Sequence, residues 1–180
     1  MPTTEAARMR QHLETEIARL GAAIGLKGRD VPTFVNHDGA HPFISVGNGV
    51  LAYLALERGA LCFEHTTRDP DELLFWAFRD ATALPALAWA NERQYTGDGH
   101  LAARWQRRAV LLHTLDPAWA RRWRDELAET LGPEHEHRHL LPALPPPPLV
   151  PDPAPPGPPA GPGSRPAHRR RWWHRPDASP

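Results

Sequence analysis

The stretch that decides the fold reads YLALERG (53–59), then CFEHTTRDPDELLFWAFRDAT (62–82) and, after another helical segment, LLHTLDPAWARRWRDELAETL (111–131). Val50–Glu57 and Leu61–Thr66 flank Arg58-Gly59. Two β-prone runs joined in this way predict an antiparallel hairpin, with Gly59 at the positive φ of the turn. Downstream, Arg68-Asp69-Pro70-Asp71-Glu72 predicts a helix start. Asp69 is placed to accept from the N3 amide, Pro70 stands at N1, and Glu72 at N3 closes a capping box. Leu73, Leu74, Trp76, Ala77 and Phe78 leave this helix apolar on most sides, so it is expected to be deeply buried. Asp116-Pro117 repeats the cap-plus-proline start, and Trp119, Trp123, Leu127 and Leu131 follow every four residues until Gly132-Pro133 stops the helix. A tryptophan buries on the order of 200 Å², so two on one stripe make this last helix a core element.

Upstream, Met9, Leu13, Ile17, Leu20 and Ile24 mark one face of a helix from Thr4 to about Ile24, ended by Gly25 and Gly28. Arg29 to Gly49 reads as loop with a short strand at Pro42 to Val46, which adds a third strand to the hairpin and gives a meander. Pro85 should kink or interrupt the buried helix, which resumes from Leu87 to Tyr95. Thr96-Gly97-Asp98-Gly99 reads as a loop, and Leu101, Trp105, Ala109 and Leu112 mark another helical face. The expected fold class is α+β: an N-terminal helix, a small antiparallel three-stranded meander, then three to four packed helices covering one face of the sheet.

Most of the 22 prolines fall after Leu141. The segment PALPPPPLVPDPAPPGPPAGPGSRP (142–166) has too little apolar periodicity to offset chain entropy and is expected to be disordered, with polyproline II character. The division is therefore a 1–139 α+β domain and a 140–180 Pro/Arg-rich disordered tail. Through His139 there are 16 basic and 19 acidic residues, and 5 basic and 2 acidic after it. A mildly acidic body is poorly suited to phosphate backbones and better suited to a basic partner. Cys62 is the sole cysteine, which excludes an intrachain disulfide or a thiolate metal cluster and fits reducing cytosol. Neither a signal-peptide h-region nor a run of about 20 apolar residues occurs, so a cytoplasmic protein without a membrane span is expected.

Catalytic grammar is weak. Cys62 falls inside a strand, where it reads as buried or half-buried, and His65 is expected on the same face as its possible base; no third orienting group accompanies them. His135, His137 and His139 alternate as metal ligands can, but they sit between a helix stop and the tail, where adventitious binding is the simpler reading. Asp69, Asp71 and Glu72 are accounted for by the helix start, leaving Asp80 without a structural assignment. No phosphate-binding loop, HExxH or GxSxG is present. The tail's Arg169-Arg170-Arg171-Trp172-Trp173 reads either as a sticky patch for nucleic acid or anionic lipid, or as a by-product of translating GC-rich DNA, even in a shifted frame after about Leu144. The chain is therefore not expected to be an enzyme or to use a cofactor, a metal, a small-molecule substrate or a specific nucleic acid.

One resemblance gathers these segments. Glu57-Arg58-Gly59, the Thr66-Thr67 strand end, Asp71-Glu72-Leu73-Leu74-Phe75-Trp76-Ala77-Phe78 and Asp80-Ala81-Thr82 resemble the immunity protein 63 family of bacterial polymorphic toxin systems. That family has an ERG hairpin, a Thr-rich strand end, a DELLYWIF-like helix and an Asp-x-Thr. Leu111-Leu112, Leu115-Asp116-Pro117-Ala118-Trp119 and Arg121-Arg122 continue the likeness to Leu131. Where the family has a Tyr-Glu type pair after Asp-x-Thr, this chain has Trp89-Ala90, with Pro85 in between, and the proline tail has no family counterpart. The resemblance implies an immunity protein that neutralises a cognate toxin domain by occluding it. Asp80, Trp89, Glu92, Arg93 and Tyr95 are the candidate partner-binding residues, because they lie near the expected kink and the loop after it. The alternative is a non-enzymatic adaptor or scaffold recruiting partners through the Pro-rich tail. Truncation after Leu141, scored by growth beside the toxin, is expected to leave protection intact under the first reading and abolish activity under the second.

Overall fold

The computed structural model describes residues 4–47 and 49–146, all within one compact unit. The expectations for the tail beyond residue 146, its Arg-Trp run included, lie outside these residues. The chain forms helix α1 (Thr4–Ala23), strands β1 (Phe43–Gly47), β2 (Val50–Glu57) and β3 (Ala60–Thr67), then helices α2 (Pro70–Ala81), α3 (Ala83–Glu92), α4 (Gly97–Leu115) and α5 (Pro117–Leu131). A 3₁₀ turn at Gly28–Asp30 precedes the sheet, and a second at Glu136–Leu140 follows α5. This is the expected α+β architecture of an N-terminal helix, an antiparallel sheet in the order β1-β2-β3, and helices after it.

Register follows from the hairpin. Tyr53 pairs with Ile44 on one side and His65 on the other, and Arg58 and Gly59 both take positive φ, 51° and 79°. That is the turn whose twist matches antiparallel strands, and Arg58 is a non-glycine in a left-handed conformation. Ile44, Leu51 and Tyr53 are buried on the inner face, against Leu13 and Ile17 of α1 and Leu73, Leu74 and Phe78 of α2. Phe75 and Phe78 are wholly buried, so α2 is enclosed as its sequence predicts. Trp119 of α5 packs against both phenylalanines, with ring centroids 6.2 Å away in each case.

Several local expectations are corrected. Asp69 caps α2 through the amide of Asp71, not that of Glu72, at 3.0 Å. The amide of Asp69 bonds Thr67 Oγ1, so Glu72 is released from a capping box and pairs with Arg122 of α5 instead. The helix breaks at Thr82 rather than at Pro85. A proline ring conflicts with the carbonyl four residues earlier, here Ala81, so the break falls upstream and Pro85 is accommodated in the first turn of α3. That helix ends at Glu92, short of Tyr95, and Gly97–Gly99 is the first turn of α4, not a loop. Cys62 is exposed, not buried. It is the extra residue where β3 shifts register against β2, between Leu61 opposite Leu56 and Phe63 opposite Ala55, while the His65 ring packs on Phe63 and Trp76, so the expected pairing is not formed.

The packed body extends past the second 3₁₀ turn. Leu140 and Leu144 pack against the core, Pro142 is fully buried, and its carbonyl accepts from Arg124 Nε at 3.0 Å. A cut after Leu141 therefore removes body contacts as well as the tail, and a cut after Pro146 spares them. Trp123 is 4% exposed and carries the Arg108 guanidinium 4.8 Å from its ring centroid. Trp123→Ala is expected to destabilise the fold by about 3–5 kcal/mol, read as a lowered midpoint in urea with the slope unchanged.

Candidate partner-binding site

Four of the five candidate residues come together at the end of α3. Trp89 and Tyr95 stack with centroids 6.0 Å apart and planes at 26°. Arg93 lies 4.2 Å over the Trp89 ring, donates to the Trp89 carbonyl and stands 3.9 Å from the Glu92 carboxylate. The grouping is local in origin. Trp89 and Arg93 are one helical turn apart, and Gln94, with φ 56°, reverses the chain so that Tyr95 folds back. Arg107 of α4 adds a second guanidinium 5.3 Å from the Trp89 centroid. Sequence reasoning missed Arg107, because its approach depends on α3 packing against α4 and no short-range spacing signals it. Tyr95 is 44% exposed, Glu92 is exposed, and Trp89 and Arg93 are half-buried. Tryptophan, tyrosine and arginine are the residue types that dominate binding energy at protein interfaces.

Asp80, the fifth, is engaged elsewhere. Its Oδ2 accepts from the Tyr53 hydroxyl at 3.1 Å and its Oδ1 from Arg79 Nε at 3.1 Å. Arg79 also reaches Glu126 at 3.3 Å, Glu126 pairs with Arg122 at 3.0 Å, and Arg122 clasps Glu72 through both terminal nitrogens. A row of alternating charges thus links β2, α2 and α5. Burial pushes the Tyr53 phenol well above its ordinary value and the Asp80 charge adds to this, so the hydroxyl is a neutral donor. For Arg79, burial opposes the charge but the Asp80 and Glu126 carboxylates outweigh it. Arg108 donates to the Arg79 carbonyl, and burial pushes its guanidinium down to about 10, still charged at neutral pH.

The other chemical candidates do not converge. His65 packs on Phe63 and Trp76, with centroids 5.4 and 5.2 Å away. Asp71 accepts from the Trp119 indole at 3.4 Å, so the acidic start of α2 is tied to α5. His135 and His137 meet edge to face, His137 lies 3.7 Å from Asp98, and His139 bonds the Glu136 carbonyl. Among the described residues no group of three or more His, Cys, Asp or Glu is placed to hold a metal ion, and no helix is long and apolar enough to cross a membrane.

The class these features define is an α+β domain with an aromatic and arginine cluster at the end of one helix and a charge row that ties its helices to the sheet. Within that class, residues 47–129 match the family model described as Immunity protein 63, and the resemblance drawn from the sequence is borne out over that stretch. The match runs from the end of β1 into the last turns of α5, and so takes in the hairpin, α2, the aromatic cluster and the whole charge row. No curated protein and no solved structure gave a match.

Arg122 holds Glu72 below its ordinary carboxylate value, first by hydrogen bonding and then by charge. A carboxyl depressed in the folded state contributes stability above its unfolded value, and that contribution is lost as pH falls through the folded value. Arg122→Met is expected to melt below wild type at pH 7, with the gap closing as pH falls below the ordinary 4.5; a gap constant with pH would exclude the ion pair as its cause.

Proposed function

We propose that this chain is an immunity protein that binds a cognate polymorphic toxin domain in the cytoplasm and neutralises it by occlusion, catalysing nothing itself. The match of residues 47–129 to an immunity protein family carries this reading. The Trp89, Arg93 and Tyr95 cluster, with Glu92 at its edge, supplies a matching surface. Its rings are held by one another and by arginines before any partner arrives, so little side-chain freedom is lost on docking. Its guanidiniums lie over the Trp89 ring, where cation–π attraction orients them.

Neutralisation by occlusion requires a long-lived complex, and a few aromatic and arginine anchors inside a polar rim are sufficient to supply it. The reading expects a toxin domain to be encoded beside this protein, and that domain is the test object. Co-expression should restore growth and yield a copurifying complex. Protection that survives a cut after Pro146 separates the body's role from the tail's. Tyr95→Ala is the cleaner anchor variant because the ring is 44% exposed. It is expected to weaken toxin binding by roughly 30-fold, the effect of losing about 2 kcal/mol at a hot spot, with an unchanged melting temperature. Trp89→Ala should weaken it at least as much. A domain that neither copurifies with the toxin nor restores growth would exclude the reading.

A further inference from the structure

A small cavity lies at the carboxyl end of α2, with a mostly apolar lining that includes two carboxylates. Val31, Pro32, Pro42, Ala77, Ala81 and Leu84 supply its apolar lining. Tyr53 and Asp80 supply polar groups, and Arg29, Asp30 and His41 also line it. Tyr53 is 4% exposed, and its hydroxyl is bonded to an oxygen of the Asp80 side chain, which is 37% exposed. Arg29 is exposed, so its charge is solvated and screened. The cavity holds about 140 Å³. An apolar cavity of about 150 Å³ accepts a benzene, whereas cofactor and drug-sized sites run to about 300–1,000 Å³. The space therefore suits one side chain and not a substrate or cofactor.

Its electrostatics select the kind of side chain. The Asp80 carboxylate offers about four acceptor positions, and two are taken, by Arg79 and by the neutral Tyr53 hydroxyl. Ala77, Asp80 and Ala81 form the last turn of α2, where the helix dipole places partial negative charge. Asp30 adds a second carboxylate at the opening. Leu84, 64% exposed, offers an apolar lip. An apolar lining beside a carboxylate with acceptor positions to spare fits a long aliphatic stem with a cationic head. The mildly acidic body has the charge that complements a basic protein surface.

We propose that this cavity is a socket for one arginine or lysine side chain of the toxin, with its head received by Asp80 and its stem lying against Ala81 and Leu84. The proposal rests on the immunity reading for the identity of the occupant. It makes the socket a specificity element, since the Asp80 carboxylate repels an acidic partner side chain.

The test is an amide NMR titration of the full chain with N-acetyl-arginine methylamide, with N-acetyl-norleucine methylamide as the uncharged control. The arginine probe should give saturable shifts at Ala77, Ala81 and Leu84 in roughly the millimolar range expected of so small a ligand, and the control none. Asp80→Asn keeps an acceptor for Tyr53 and should weaken the probe about tenfold or more; Ala81→Leu fills the channel without touching charge and should abolish binding. No saturable shift, an equal response to norleucine, or binding that survives Ala81→Leu overturns the socket, and this second variant decides the matter even if Asp80→Asn unfolds. Co-expression with the toxin separates the two claims. Wild-type protection without probe binding sinks the socket alone, whereas probe binding without protection overturns the toxin as its occupant.

Discussion

Helix α2 carries two phenylalanines with no exposed surface on a helix of twelve residues. A helix apolar around most of its circumference cannot be covered from one side, so it needs a sheet beneath it and helices around it. The hairpin supplies the first: Tyr53 and Leu51 meet Leu74 and Phe78 in one core. The second falls to α5, whose Trp119 lies against both phenylalanines. Each element around α2 thus exists in the form it does because of what α2 buries. By area, a Phe or Trp in such a position contributes on the order of 2–3 kcal/mol.

Enclosure on that scale creates a difficulty for the polar groups α2 also carries. Glu72, Arg79 and Asp80 leave water in part, and a half-desolvated charge must be matched. The row from Tyr53 through Asp80, Arg79, Glu126 and Arg122 to Glu72 matches each carboxylate with a guanidinium or a hydroxyl. Such pairs add little net stability over apolar replacements, but an unmatched member would be costly, so the row fixes which face of α5 meets α2. Arg108 completes the arrangement by bonding a backbone carbonyl and lying over Trp123.

The parts of this structure that local chemistry determines were legible in the sequence, and the parts that depend on distant partners were not. Asp69-Pro70 and Asp116-Pro117 mark helix starts through interactions within a few residues, and the structure keeps both caps. Arg58-Gly59 places the turn for the same reason. Glu72 has the spacing of a capping box, yet Arg122, fifty residues away, offers a charge-assisted pair and takes it. Pro85 announces a break without its position, because the clash is felt four residues earlier. In the candidate site, Trp89, Arg93 and Tyr95 were within reach of a local reading, whereas Arg107 and the Asp80 cavity arise only when α4, the Gly28–Asp30 turn and the sheet are assembled around them.

Cys62 sits exposed on β3, and it is the only thiol in the sequence. A maleimide dye or spin label therefore attaches at a single known point, without mutagenesis and without entering the core. Because the native chain provides this handle, assembly with a partner can be followed by fluorescence anisotropy or by distance measurement. The same exposure means that a stock kept without reductant will slowly become covalent pairs of molecules joined through β3.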